Sequence, residues 1–467
     1  MYNELITYLK EYLTNNGLDG IIINSTNEFL MEYNMTELNS RYYVTGFTGS
    51  TGDVLFTYDK IYLFVDTRYH EQASNQVDNE IIDVVKRPLN CSYLSALTEK
   101  IPPYFKVGVV SSKTSKKFYD LRTIYLQQKN AQIKILNSDP VAEFVKNNIP
   151  VINYNVFAVD NSITGMSADE KYNLIKQYAG DEKFKVIVTS PEDIAYLTNF
   201  RSYDFPYSAI FPAKAVISEN GVNIYTNCNL PYTGENYKIF SLQEFDNEVQ
   251  NFINENVFID ELRLSLHDFN LLNKKNNIRE SHLKLFKTVK NNNEINHLKE
   301  CFSRSDKALE IIYEMINSDK IYSEYDYYEA LIKSMKDNGA LSLSFKPIVA
   351  GGTNSSVIHY SEPSKEKFIK DGDFLLVDYG GYYEGGYATD TTRTFIKGNP
   401  DAEQKKAYTT VLKAFLNAYY NDYGKKSSYF DIDKIARETI GKSLSPDYPF
   451  AHSTGHGVGI CVHEIPP

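Results

Sequence analysis

Phe374-Leu375-Leu376-Val377-Asp378-Tyr379-Gly380 and Thr389-Asp390-Thr391-Thr392-Arg393-Thr394-Phe395-Ile396 flank the turn signal Glu384-Gly385-Gly386. Both flanks are apolar or β-branched, so the stretch reads as two strands of a hairpin. One acidic residue ends the first strand and another opens the second. A carboxylate at the end of an apolar strand is costly to bury unless it is paired, protonated or bound to a cation. Hairpin pairing would set Asp378 and Asp390 side by side. Their like charges would repel there, and a divalent cation would reverse that sign. Two solvated strand-end carboxylates are the plain alternative.

Downstream, the stretch from Ala451 to Pro467 holds three histidines, His452, His456 and His463. Gly455, Gly457 and Gly459 surround His456 and would let backbone approach a site closely. Carboxylate plus imidazole without thiolate is a ligand set for Mn²⁺, Co²⁺, Fe²⁺ or Zn²⁺. A Gly-rich loop with an exposed imidazole is again the plain alternative. Upstream lies His359. The other four histidines, His70, His267, His282 and His297, read as surface groups. No nucleophile elbow, phosphate loop or dinucleotide fingerprint occurs, and Gly351-Gly352-Thr353-Asn354 lacks the Lys-Ser/Thr a phosphate loop needs.

Further out, the chain repeats itself. Leu5, Leu9, Tyr12 and Leu13 mark a helix ended by Asn16-Gly17, followed by a strand at Ile21 to Ile23. Ser167 to Gly180 and then Lys185 to Thr189 repeat that order. Tyr43-Val44-Thr45-Gly46-Phe47 is echoed by Tyr196-Leu197-Thr198-Asn199-Phe200, an offset of 196 − 43 = 153 residues. Apolar strand pairs follow each, at Val54 to Val65 and Ala209 to Thr226. So long a period indicates duplicated domains and not a solenoid, whose repeats run about 20–50 residues. A third region begins near Ser281. Its helix carries Ile295, Leu298, Phe302, Leu309, Ile312 and Met315 as an apolar face. A second helix closes at Asn338-Gly339. Strands are expected at Phe345 to Ala350, Asp373 to Tyr379 and Thr391 to Ile396, with helices at Asp401 to Tyr420 and Asp431 to Gly441.

The 467 residues carry 49 basic and 60 acidic side chains, a formal charge of −11. That balance argues against a nucleic-acid partner, because phosphate contacts need a basic face. No apolar run suggests a membrane span, and Met1 to Lys10 has no secretory pattern. Cys91, Cys228, Cys301 and Cys461 lie far apart, without a Cys-x-x-Cys pair, and read as buried free thiols of a cytoplasmic protein. The 38 tyrosines and absent tryptophan read as composition bias and core filling.

The words Asn354-Ser355-Ser356-Val357-Ile358-His359-Tyr360, Leu376-Val377-Asp378-Tyr379-Gly380, Thr389-Asp390-Thr391-Thr392-Arg393-Thr394 and His452-Ser453-Thr454-Gly455-His456-Gly457-Val458-Gly459, continued by His463-Glu464, resemble the creatinase/aminopeptidase or pita-bread family. Within it they resemble the three-domain cytosolic aminopeptidases P, and Tyr43 to Gly52 and Ile194 to Phe200 resemble the N-terminal domains of that type. The resemblance implies an α/β plus α+β fold: two creatinase-like domains with mixed sheets, 1–150 and 151–285, and a pita-bread domain, 286–467. It implies a dinuclear metallopeptidase that removes an N-terminal residue when proline follows. Asp378, Asp390 and His456 look like metal ligands, with Asp390 bridging. His359 and His463 look like the catalytic, substrate-contacting histidines, and His452 like a substrate-binding residue at the edge. Two divalent ions, Mn²⁺ first and Zn²⁺ second, a peptide substrate and a homodimer are expected with them. Such a pair of ions activates a water and polarises the scissile carbonyl.

Two departures from the family pattern stand out. The separation 390 − 378 = 12 is one residue longer than usual, which the Glu384-Gly385-Gly386 turn can absorb. The family takes two further ligands from glutamates beyond the His-Glu-x-Pro word, where this sequence stops; Glu464 matches neither. The 467 residues alone are therefore expected to bind one ion weakly and to hydrolyse poorly. A noncatalytic short relative that binds peptides or partners, and another pita-bread peptidase such as a prolidase, are the alternative readings.

Overall fold

The computed structural model describes residues 1–180, 183–231, 234–424, 428–441, 444, 450 and 452–466. Ala451 and Pro467, the ends of the His-rich stretch, lie outside them.

Helix α1 (Tyr2–Asn16) ends at Gly17 in the left-handed conformation. Strands β1 (Gly20–Ile23), β2 (Val54–Thr57), β3 (Ile61–Val65), β4 (Ile82–Lys86), β5 (Lys106–Val110) and β6 (Gln132–Leu136) form one sheet in the order β4-β3-β2-β1-β5-β6. Strand alternation sends Ile21, Ile23, Val54 and Phe56 into one apolar cluster and Ile22, Leu55 and Phe64 into another. Both faces are thus covered, which is why these strands read as unbroken apolar runs.

Helix α2 (Ala168–Ala179) follows the same logic, with a Ser167–Glu170 capping box and left-handed Gly180. Strands β7 (Lys185–Val188), β8 (Lys214–Ser218), β9 (Gly221–Tyr225), β10 (Tyr237–Phe240), β11 (Asn256–Ile259) and β12 (Asn277–Glu280) form a sheet ordered β10-β9-β8-β7-β11-β12. Strand for strand, this order and its parallel and antiparallel pairings match the first sheet. The echo extends to atoms. Gly46 and Asn199 are both left-handed helix ends. Thr45 and Thr198 each donate to the carbonyl four residues back and accept the amide two residues on.

In the third unit, α3 (Asn292–Asn317) and α4 (Glu324–Asp337) cover one face of the antiparallel sheet β13 (Ile348–Gly351), β14 (Phe374–Tyr379) and β15 (Thr391–Ile396). The first of these strands begins at Ile348 and not at Phe345. The buried face of α3 is Glu294, Cys301, Ser305, Ala308, Ile312 and Ile316; of the expected stripe Ile312 is buried, Leu298, Phe302, Leu309 and Met315 are half-buried at its edge, and Ile295 is exposed. Small residues are needed there because Tyr379 packs in and donates its hydroxyl to the Ser305 carbonyl. Helices α5 (Ala402–Tyr420) and α6 (Tyr429–Gly441) pack on each other.

All four cysteines are free; Cys301 and Cys461 are buried, Cys91 and Cys228 half-buried.

Candidate active site

On β14, Leu375, Val377 and Tyr379 are buried against the helices. Leu376 and Asp378 therefore point to the opposite, open face. The register places Asp378 opposite Thr392, whose hydroxyl donates to Asp378 Oδ1 at 2.7 Å. Asp390 is not the cross-strand partner expected from a plain hairpin. It precedes β15, two residues from Thr392, so it shares the face of Asp378 diagonally. The turn between the strands is doubled: Gly381–Tyr382 pairs with Ser342–Leu343, and Gly385 and Gly386 both take positive φ. At Gly380 a Cβ would lie 1.9 Å from the Thr389 carbonyl oxygen, so only glycine allows the two arms to converge there.

Residues 452–466 return to this face as a narrow loop closed by reciprocal backbone hydrogen bonds between Gly457 and Glu464, 2.9 Å each. The bridge holds His456 and His463 across from one another, with ring centroids 4.5 Å apart and edge to face. His456 Nε2 is 3.1 Å from Asp390 Oδ2, and Nδ1 lies 2.9 Å from the Gly457 carbonyl. That carbonyl accepts the Nδ1 proton and aims Nε2 at the carboxylates, where it donates to Asp390 when protonated and offers its lone pair to a cation when neutral. Burial opposes charge on His456, but the Asp390 hydrogen bond prevails and raises its pKa. Burial, and then the charge of Asp390, push Asp378 up to about 7. Glu464 is not a ligand candidate here: its buried carboxylate pairs with Lys290 at 2.6 Å.

Two mutually repelling carboxylates and one imidazole nitrogen make an O, O, N donor set that fits a hard or borderline divalent cation. The three are neighbours without forming a tight trio. Among the described residues, the group whose donor atoms all lie within 4.8 Å of one another is Asp246, His267 and Asp268 in the second unit. There His267 bonds Asp246 at 2.9 Å and Lys214 neutralises Asp268 at 2.6 Å, so the cluster is already paired.

The first unit supplies side chains that sequence reading missed. Glu32 Oε2 is 2.9 Å from His463 Nδ1, and Tyr33 stacks on the same imidazole at 5.9 Å. Burial would raise Glu32, but the hydrogen bond and charge of His463 hold it at about 2. His359 sits edge-on to Tyr69 at 4.9 Å. Burial, and then the Arg68 guanidinium, lower its pKa to about 4, so the imidazole is neutral near pH 7. Tyr207 packs on Tyr33, and Tyr203 on Tyr382. Part of the tyrosine excess therefore lines the junction of the three units. Five of the six expected residues gather here. His452 does not join them: it is exposed, its ring lies against Phe450 at 4.7 Å, and its carbonyl accepts from Arg437 on α6.

A model described as metallopeptidase family M24 matches residues 296–467, and models described as creatinase/prolidase N-terminal domains match 147–294 and 6–144. Residues 296–467 thus form an M24 metallopeptidase domain, preceded by two creatinase/prolidase N-terminal domains. Its similarity to Xaa-Pro aminopeptidase 1 of Dictyostelium discoideum is 28% identity over 98% of this chain and 77% of that protein. With Xaa-Pro aminopeptidase 2 of Rattus norvegicus it shares 26% identity, over 98% of this chain and 71% of the relative. The X-prolyl aminopeptidase of Caenorhabditis elegans, described as a cytosolic enzyme with a di-nuclear active site, superposes on the whole chain with a TM-score of 0.90 at 21% identity, covering 81% of that structure. The prolidase of Pyrococcus horikoshii matches only 64% of this chain, and 84% of its own, with a TM-score of 0.51 at 22% identity. The fold of an M24 domain behind two creatinase-type N-terminal units is thereby established for this chain.

Proposed function

We propose that this metallopeptidase is an Xaa-Pro aminopeptidase, releasing the N-terminal residue of peptides whose second residue is proline. The names of its relatives support the substrate class. The observation that carries the chemistry is the approach of His456 Nε2 to Asp390 at 3.1 Å, beside Asp378 and under two further imidazoles. In this reading Asp378, Asp390 and His456 supply three of the ligands for two divalent ions, with Mn²⁺ preferred and Zn²⁺ the alternative. When bound, such ions polarise the scissile carbonyl and make water nucleophilic near neutral pH.

The chain's own residues do the rest. His359, neutral at pH 7, offers one ring N–H to the carbonyl oxygen as negative charge grows on it. His463 has Nδ1 tied to ionised Glu32, which leaves Nε2 to exchange a proton with the departing amine. Tyr33 and Tyr69 fix the planes of these two rings and limit water around them. Proline at the second position removes the amide N–H of the scissile bond, so the site needs no acceptor for that proton. We place the enzyme in the cytoplasm as a homodimer, in keeping with its free thiols and its family; among the described residues no helix is long and apolar enough to cross a membrane.

The test is cleavage of Xaa-Pro-Xaa against Xaa-Ala-Xaa peptides by the gene product supplied with Mn²⁺. Release of the first residue from the proline peptide, abolished by a chelator, is expected. Equal cleavage of both, or chelator-resistant cleavage, would refute the assignment.

A further inference from the structure

Glu324 is the first residue of α4, and its side chain is fully buried. Among the described residues no Lys, Arg or His pairs with it. Its carboxylate is instead satisfied by four donors, all from the segment that carries His359. Oε1 accepts the Gly351 amide at 2.7 Å and the Asn354 side-chain amide at 3.0 Å. Oε2 accepts the Tyr360 hydroxyl at 2.7 Å and the Ser364 amide at 3.0 Å. Asn354 also donates to the Tyr360 oxygen at 3.0 Å, which closes a ring around the carboxylate. The start of α4 adds the positive end of its helix dipole. A buried carboxylate with four donors is strongly held, and charge-assisted bonds of this kind are about twice as strong as neutral ones.

Between Gly351 and Ser364 the chain has only a short 3-10 turn, Gly352–Ser356, and no strand. Among the described residues no strand pairing holds His359: the loop end is held by the Tyr325 amide on the Ser364 carbonyl at 3.2 Å, and the backbone of His359 only by the local turn of the Tyr360 amide on the Val357 carbonyl at 3.2 Å. Its neighbour Tyr360 is fixed by Glu324 on one side, and its own ring rests on Tyr69 of the first unit on the other. We propose that Glu324 is the positioning residue of the active site, anchoring the 351–364 loop so that His359 meets the scissile carbonyl. The proposal rests on the role assigned to His359 above.

The experiment compares Glu324→Gln, Tyr360→Phe, His359→Ala and the Glu324→Gln/His359→Ala double variant in the Mn²⁺-supplied gene product. Glutamine keeps the volume of Glu324 but replaces an acceptor with a donor that cannot receive Tyr360 and Ser364. A misplacement of the order of 1 Å can cost about 100-fold, so Glu324→Gln should lower kcat by roughly 10–100-fold. In the His359→Ala background it should add less than about twofold, because the two act through one group. Amide hydrogen exchange gives a readout free of activity: protection should fall across 352–364 and persist in 374–379 and 391–396.

Multiplicative losses in the double variant would overturn the proposal, as would full kcat or unchanged exchange in Glu324→Gln. If Glu324→Gln does not fold, Tyr360→Phe decides by the same criteria, since it removes one donor and leaves the carboxylate. A fully active His359→Ala would overturn the role of His359 and this proposal together. A crippled His359→Ala with a fully active Glu324→Gln overturns this proposal alone.

Discussion

Asp378, Asp390 and His456 lie on opposite sides of a simple electrostatic problem: two carboxylates crowd one face, and the imidazole beside them is the nearest relief. Asp390 is the member that touches His456, and we predict that Asp390→Ala abolishes both metal binding and peptide cleavage. His359 gives a second prediction at this scale. Its pKa in the folded protein, about 4, lies below the ordinary histidine value of 6.5. The unfolded chain therefore binds more protons between those values. Stability from the neutral imidazole is complete above pH 6.5 and is lost as pH falls toward 4. Histidine NMR titration should find one imidazole with a midpoint near 4, absent in His359→Ala; a midpoint near 6.5 would contradict the burial described here. The chemistry-bearing residues of the third unit were legible because their neighbours are unusual: an acid closing Leu375-Leu376-Val377, and glycines around His456. Glu32, Tyr33, Arg68 and Tyr69 were not, since nothing local marks them and Glu32 meets His463 across a sequence separation of 431.

At the scale of elements, strand periodicity located the hairpin well but not its register. Alternation predicts which face a residue takes, while the doubled turn through Gly380, Gly385 and Gly386 decides which residues stand opposite. The centre of the buried face of helix α3 lies beside the apolar stripe for a related reason. Burial there follows the space that Tyr379 leaves, and Ser305 and Ala308 fill it better than large apolar groups would. The turn supplies a test. Gly380→Ala puts a methyl into the Thr389 carbonyl, and such overpacking should cost about 1–3 kcal/mol and displace Asp390 relative to Asp378. Denaturant unfolding would measure the loss, and an unaltered midpoint would refute the close approach.

Across the whole molecule, the duplication was legible in the order of elements and in one recurring word. How the units meet was not, because no sequence period marks the residues involved: Ala195, Tyr196 and Ile210 of the second unit cluster with Tyr387, Ile460 and Cys461 of the third, and charged pairs lie beside them. Lys287 and Arg263 of the second unit bind Glu192 and Asp193 at 2.9–3.3 Å beneath the tail residue Cys461. Burial opposes the charge on Glu192, but Lys287 and Arg263 bring it down to about 2. A depressed carboxylate contributes stability above its unfolded value, and that contribution disappears as pH falls from about 4.5 to about 2. Acid unfolding should therefore release the tail in this window. Lys287→Met should weaken the protein by up to about 3 kcal/mol, since it leaves buried carboxylates short of a partner. Calorimetry across pH checks both, and a Lys287→Met protein as stable as the wild type would count against the network. The same tail carries His456 and His463, so its seating on the second unit is also a condition of the site.

The central claim is that the open face of the third sheet is a metal centre built on Asp378, Asp390 and His456. Calorimetric titration of Mn²⁺ into the 467-residue chain, beside Asp390→Ala, tests it most directly. Saturable binding in the wild type, with proton release as the Asp378 carboxyl and the His456 imidazole give up protons to become ligands, and none in the variant, is the result predicted. Identical binding by both chains would contradict it.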